Sequence, residues 1–134
     1  MSVMYVELTD EQQFLSEAAQ GTLSRVDTLA SARAALDGER YVDLWDVAVE
    51  AGWPGMLSGE EVDGAGLGAY EAMLVLENCG ARLADARLLG HLPATALLEL
   101  AGADAELRRA LATGELRAAF IDGDGKAVLD AAGA

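Results

Sequence analysis

The sequence is poor in positive charge, cysteine and aromatic residues. Nine lysines and arginines face 23 acidic residues among 134, so the formal net charge is −14. This charge repels phosphate backbones and anionic membrane surfaces, which argues against nucleic acid as a partner. The single cysteine, Cys79, excludes an internal disulfide framework. No apolar run approaches the length of a membrane span and no signal-peptide pattern opens the sequence. We therefore expect a cytoplasmic protein without membrane insertion.

What the sequence does contain is typical of packed helices. Hydrophobic residues make up 52%, rich in alanine and leucine, whereas aromatic residues make up 5% and charged residues 24%. This mix is unlike that of disordered chains. A chain of this length fits one domain that buries about two-thirds of its unfolded surface. The composition therefore predicts a mainly α, globular fold.

Capping residues, glycines and helical spacing divide the chain into about five helices. Thr9 and Gln12 form a capping-box pattern, Gly52 is a stop signal, and Asp104 is typical of a helix cap. Residues 27–40 are alanine-rich without clear periodicity, and we expect them to be partly helical. The predicted helices are residues 10–26, 42–51 and 69–79, a leucine-rich helix ending before Gly102, and one between Asp104 and Gly114.

Two details of this division stay open. Pro93 interrupts the leucine-rich stretch from residue 88 to residue 100, so the helix either starts near Leu92 or is longer and kinked. After Gly114 the period changes: residues 116–121 read as a strand, 122–125 as a turn and 127–129 as a second strand. An isolated hairpin is marginally stable in water, so we expect the chain to be part of a longer protein.

Short motifs in a fixed order resemble the amino-terminal helical domain of the acyl-CoA dehydrogenases. The glycine-rich loop departs from the family pattern by losing its proline, its aromatic residue and its first glycine. The chain therefore resembles the divergent members of the family. The matching segments are Leu8-Thr9-Asp10-Glu11-Gln12, Trp45 with Gly52-Trp53, Glu60, Gly64 and Gly66 in the loop, Leu76-Glu77-Asn78-Cys79-Gly80, Leu100-Ala101-Gly102 and Thr113-Gly114-Glu115.

The resemblance implies an orthogonal bundle over residues 1–114, followed at 115–134 by the first one or two strands of an incomplete middle β domain. It also implies an FAD-dependent flavoprotein that oxidises the Cα–Cβ bond of an acyl-CoA thioester in lipid or steroid catabolism. The family's catalytic carboxylate and most flavin contacts lie in the middle and carboxy-terminal domains. We therefore expect no catalytic or FAD-binding residue in this chain, which would be inactive alone and work within a homo- or hetero-oligomer.

By the same resemblance, Leu88, Leu89, Leu92 and Thr95 are candidates for a wall of the acyl pocket. An apolar pocket needs such side chains, although the same leucines could simply form helix core. A second hypothesis for the whole chain is a noncatalytic helical interaction module, or an accessory subunit that completes a partner dehydrogenase.

Other motifs favour structural interpretations. Residues 64–69 fit G-x-G-x-x-A, but no buried strand precedes them, which favours a connecting loop. Asp122, Asp124 and Gly125 suggest a calcium loop, but no glutamate follows at the required distance. His91 has no cysteine or paired carboxylate at metal spacing, which favours a structural or surface role. We therefore predict no metal site.

Overall fold

The computed structural model describes residues 7–123 of the chain. Within this range the fold is mainly α, as the sequence predicts, and no β-strand forms. Two short 3₁₀ turns, Trp53–Gly55 and Glu60–Val62, lie between the third and fourth helices. The six α-helices are α1 (Asp10–Leu23), α2 (Thr28–Leu36), α3 (Trp45–Glu50), α4 (Ala69–Ala81), α5 (Leu88–Leu100) and α6 (Ala105–Ala112).

The first helix begins at the predicted capping box. The Thr9 hydroxyl accepts a hydrogen bond from the Gln12 backbone N–H at 3.1 Å, and the Gln12 side chain accepts one from the Thr9 N–H at 3.0 Å. These bonds satisfy donors that have no partner within the helix. The helix then packs along α4, where Asn78 donates to the Ser16 hydroxyl at 3.0 Å.

The helix that the sequence left uncertain is α2. Asp27 caps it by accepting a hydrogen bond from the Ala30 N–H at 3.0 Å, and Gly38 follows it with a left-handed φ of 89°. This helix of nine residues is the one that the structure has in addition to the five predicted. Thr28 is the one residue of this helix that is buried, which agrees with the lack of a periodic apolar face in its sequence.

The fifth helix is the longer of the two alternatives for the leucine-rich stretch. It begins at Leu88, so Pro93 lies inside it. The core lies where α1, α3, α4, α5 and the first 3₁₀ turn meet. Both tryptophans are buried there, and the large side chains around them include Leu23, Met56, Val75, Leu88 and Leu92.

Residues 116–121, where the sequence predicts a strand, follow the helical surface instead of a β-ladder. A ladder needs a partner strand, and the predicted partner at 127–129 lies outside the described residues. The Leu116 N–H donates to the Ala110 carbonyl in α6, and the Phe120 N–H donates to the Gly90 carbonyl in α5, each at 3.0 Å. The helical domain therefore holds this segment through its backbone.

Candidate functional site

An open cleft of about 1580 Å³ lies beside the connection between α4 and α5. Its walls are the end of α4, the start of α5, residues 40–43 and residues 117–119. Most of its lining residues are apolar or small, and the charged ones, which we call the rim, are Arg40, Asp43, Asp85, Arg87 and Arg117. The apolar and small residues of the cleft include Leu76, Cys79, Gly80, Ala84, Ala86, Leu88, Leu89, Gly90, Ala118 and Ala119.

The turn between α4 and α5 has an uncommon backbone. Leu83 and Arg87 both adopt left-handed conformations, with φ values of 51° and 58°. For side chains other than glycine this costs on the order of 1 kcal/mol each. The turn is held from outside, because the Tyr41 hydroxyl donates to the Leu83 carbonyl and the Leu44 N–H donates to the Asp85 carbonyl. The segment before α3 therefore fixes one edge of the cleft.

Arg117 joins the opposite wall to α3. Its guanidinium forms an ion pair with Asp43 and lies 5.0 Å from the centroid of the Trp45 ring. The indole N–H of Trp45 donates to the Gly114 carbonyl at 3.1 Å. Partial burial tends to raise the pKa of Asp43, but hydrogen bonds from Arg117 and from the Trp45 N–H outweigh it, and the pKa is lowered. The Asp43 carboxylate is therefore charged at neutral pH.

His91 is fully buried beneath this wall. Its Nε2 lies 3.0 Å from the Leu111 carbonyl oxygen, and its Nδ1 lies 3.2 Å from the Ala118 backbone N–H. A carbonyl only accepts and an amide N–H only donates, so Nε2 carries the proton and Nδ1 accepts. The ring also meets Trp45 edge to face, with centroids 4.8 Å apart. Burial lowers the pKa of His91 more than carbonyl partners raise it, which favours the neutral ring.

The rim of the cleft carries three arginines and two aspartates. Arg87 pairs with Asp85 at 3.3 Å, Arg117 pairs with Asp43, and Arg40 completes the set. The rim is thus slightly positive although the whole chain has a net charge of −14. These residues come from three distant parts of the sequence, and no motif marked them.

The sequence matches the family described as "Acyl-CoA dehydrogenase, N-terminal domain" over residues 9–115. The chain belongs to this family. No match to a curated protein or to a solved structure was found. The match covers all six helices of this acyl-CoA dehydrogenase N-terminal domain, and the cleft residues 117–119 begin two positions after its end.

The four pocket candidates of this acyl-CoA dehydrogenase domain lie on two faces of α5. Leu88 and Leu89 line the cleft, and Leu89 is 78% exposed. Leu92 and Thr95 are buried in the domain and are not among the cleft residues. By the helical repeat, Leu88, Leu92 and Thr95 share one buried face of the helix, and Leu88 borders the cleft at the start of that face, whereas Leu89 lies on another face. The role of all four in an acyl pocket remains a prediction.

The groups that could react in the cleft are already engaged or protonated. Burial raises the pKa of the Cys79 thiol to about 11, so at neutral pH it is not the nucleophilic thiolate. The Tyr41 hydroxyl donates a hydrogen bond to the Leu83 carbonyl. Asp43 and Asp85 hold arginines. The side chains that line the cleft are therefore suited to binding a molecule by shape and apolar contact.

Between residues 7 and 123, no three histidine, cysteine, aspartate or glutamate side chains gather as a metal site. No helix in that range is long and apolar enough to cross a membrane.

Proposed function

We propose that this chain is the amino-terminal domain of an FAD-dependent acyl-CoA dehydrogenase, and that its cleft forms a wall of the acyl pocket. The observation that carries the proposal is the family match over all six helices. Its supporting feature is the apolar lining beside Leu88 and Leu89, since acyl chains bind to such surfaces. In this proposal, residues 115–134 begin the middle β domain.

The charges of the rim also suit an acyl-CoA. Coenzyme A carries phosphates, which the chain's net charge of −14 would repel at a distance. At the rim, three arginines and two aspartates give a local charge that is positive instead of negative. Arg87 and Arg117 are tied to aspartates, so Arg40 is the arginine of the rim that we propose to contact a negatively charged part of the substrate. The acyl group itself would lie against the apolar residues.

We propose that this cleft does not hold FAD. Its polar side chains stand on the rim, and two of the three arginines are already paired with Asp85 and Asp43. We therefore propose that other domains of the parent enzyme bind FAD, which accepts the β hydride in this family. The described residues would bind and orient the acyl group.

We further propose that the chain alone is inactive. Removing the α proton requires a base aimed at the substrate carbon. In the cleft, the Cys79 thiol is protonated and the carboxylates of Asp43 and Asp85 hold arginines. The base would therefore come from another domain.

The product of the natural gene tests this proposal. Its intact mass, visible absorption spectrum and acyl-CoA-dependent reduction of an electron-accepting dye should be measured together. We expect a flavin-bearing protein much heavier than the 13.9 kDa of this chain, with dehydrogenase activity. A product of 13.9 kDa without flavin would overturn the proposal and favour an accessory subunit or interaction module.

The pocket wall has its own test within the active gene product. Leu89→Trp places a large side chain in the cleft, whereas Leu100→Trp makes the same change at a leucine of α5 outside the cleft residues. Both leucines are largely exposed, so neither change should unfold the domain. We expect Leu89→Trp to lower kcat/KM for acyl-CoA by about tenfold or more. Equal effects of the two changes would show that Leu89 does not face the substrate.

A further inference from the structure

The segment 116–120 is fastened to the helical domain by alternate backbone N–H groups. Leu116 donates to the Ala110 carbonyl at 3.0 Å, Ala118 to Nδ1 of His91 at 3.2 Å, and Phe120 to the Gly90 carbonyl at 3.0 Å. Only the middle bond ends on a titratable group. Ala118 also lines the cleft, so this bond positions part of the cleft wall.

The state of the His91 ring decides whether the middle bond forms. With the proton on Nε2, the ring donates to the Leu111 carbonyl in α6 and accepts from Ala118. A second proton would have to go on Nδ1, where it would face the N–H of Ala118. Two donors cannot bond to each other, so protonation and the middle bond exclude one another.

We propose that His91 is a pH-sensitive latch: it holds residues 116–120 against α5 and α6 when neutral and releases them when protonated. Release would loosen the wall formed by Arg117, Ala118 and Ala119 and open the cleft. His91 acts as a positioning residue and contacts no substrate. The inference does not depend on the acyl-pocket assignment, because the bonds lie within the described domain.

Within residues 7–123, His91 forms no ion pair with a carboxylate that would stabilise an imidazolium. From α3, the Trp45 ring meets the imidazole edge to face, and Arg117, which lies over the Trp45 ring, is paired with Asp43. The first 3₁₀ turn and α6 contribute the backbone carbonyls of Pro54 and Leu111. Of the charged residues of α6, Arg108 and Arg109 pair with Glu61, Glu99 and Asp63, and Glu106 is exposed.

The sign of the pH dependence follows from this burial. Desolvation lowers the pKa of His91 below its ordinary 6.5, so the folded domain holds the neutral ring at neutral pH. The unfolded chain binds its proton first, so stability declines as pH falls below 6.5, until the folded-state pKa is passed. Asp43 responds in a separate range, because its pKa is lowered from 3.8.

Amide hydrogen exchange of the 134-residue chain tests the latch. NMR would follow exchange at Ala118 and Phe120, corrected for the intrinsic rate, together with the ring nitrogens of His91, from about pH 7 down to the pH at which the ring takes up its proton. Below the pKa of His91, we expect protection of both amides to fall by up to about tenfold per pH unit. The amide of Val75, in the core helix α4, should stay better protected than both at low pH, because it exchanges only when the whole domain unfolds.

A variant separates titration from packing. His91→Gln keeps polar atoms in place but does not titrate, so the pH dependence at Ala118 and Phe120 should disappear. The proposal is overturned if these amides keep constant protection while the ring titrates, if Val75 is then no better protected than they are, if the ring stays neutral until the domain unfolds, or if H91Q retains the dependence. Should H91Q fail to fold, the comparison of Ala118 with Val75 in the unaltered protein decides.

Discussion

At the scale of single residues, Gly64 occupies a position where no side chain fits. Its N–H donates to the Gly59 carbonyl at 3.0 Å, while the N–H of Gly66 donates to the Ser58 carbonyl at 2.8 Å. A Cβ added at Gly64 would overlap the carbonyl group of Ser58. The glycine that matches the family motif is therefore required by close approach of two backbone segments.

Replacing Gly64 tests this requirement. We expect Gly64→Ala to lower the free energy of unfolding by about 1 to 3 kcal/mol, because backbone atoms must move apart. Gly21→Ala is the matched control, since a Cβ there meets nothing within 4 Å and Gly21 lies inside α1. That change should stabilise the domain by about 0.5 to 1 kcal/mol. Urea unfolding would measure both, and equal losses would contradict the close approach.

Trp45 and His91 show the limit of sequence reasoning at this scale. Trp45 lies in the motif that the sequence shares with the family, and the structure buries it in the core. Its indole bond to Gly114 and its contact with Arg117 join positions far apart in the chain. A structural role for His91 was favoured because it lacks partners at metal spacing. Its two actual partners, Leu111 and Ala118, could be identified only from the folded chain.

At the scale of elements, α6 begins at a strong cap. One oxygen of Asp104 accepts from the N–H groups of Glu106 at 3.0 Å and Leu107 at 3.2 Å. The helix has only eight residues, so its own hydrogen bonds give it little independent stability. Its arginines then fasten the glycine-rich loop, where Arg108 pairs with Glu61 at 3.1 Å and Arg109 pairs with Asp63 at 3.1 Å.

Removing this cap should therefore weaken the domain. We expect Asp104→Ala to cost about 1 kcal/mol of unfolding free energy. Asp104→Asn keeps an oxygen acceptor and should cost clearly less, which separates the hydrogen bonds from the shape of the side chain. Thermal or urea unfolding of the three proteins measures the difference. An alanine variant as stable as the original would show that the cap is not needed.

The element-scale predictions succeeded where local chemistry decides. The cap of α1 could be predicted because Thr9 and Gln12 form hydrogen bonds with each other's backbone. The stop at Gly52 could be predicted because glycine readily adopts a left-handed φ, here 77°. Which residues of α5 face the cleft and which face the core could not be predicted. Its leucines repeat at helical spacing, but the sequence did not indicate that Leu89 faces a cleft while Leu92 faces the core.

At the scale of the whole molecule, charge repulsion opposes the compact state. A net charge of −14 on a small domain raises the free energy of the folded chain relative to the expanded one. Added salt screens this repulsion, while it also weakens the exposed arginine pairs, each of which contributes little. We expect the repulsion to dominate.

Raising the ionic strength should thus stabilise the domain. We expect a higher urea midpoint at about 0.15 M salt than at about 0.01 M, because the screening length falls from about 30 Å to about 8 Å. Sodium and potassium chloride should act alike, since screening does not depend on the identity of the ion. A midpoint that falls with salt would mean that the arginine pairs outweigh the repulsion.

The sequence by itself determined the mainly α class, the main helix boundaries and the family, because caps, stops and motifs depend on residues that lie close together along the chain. The tertiary structure alone decided the cleft. Arg40, Arg87 and Arg117 share its rim, and His91 holds Ala118 across the junction of α5 and α6. These contacts join segments that are distant along the chain. They arise from how the helices pack, and no local pattern records that packing.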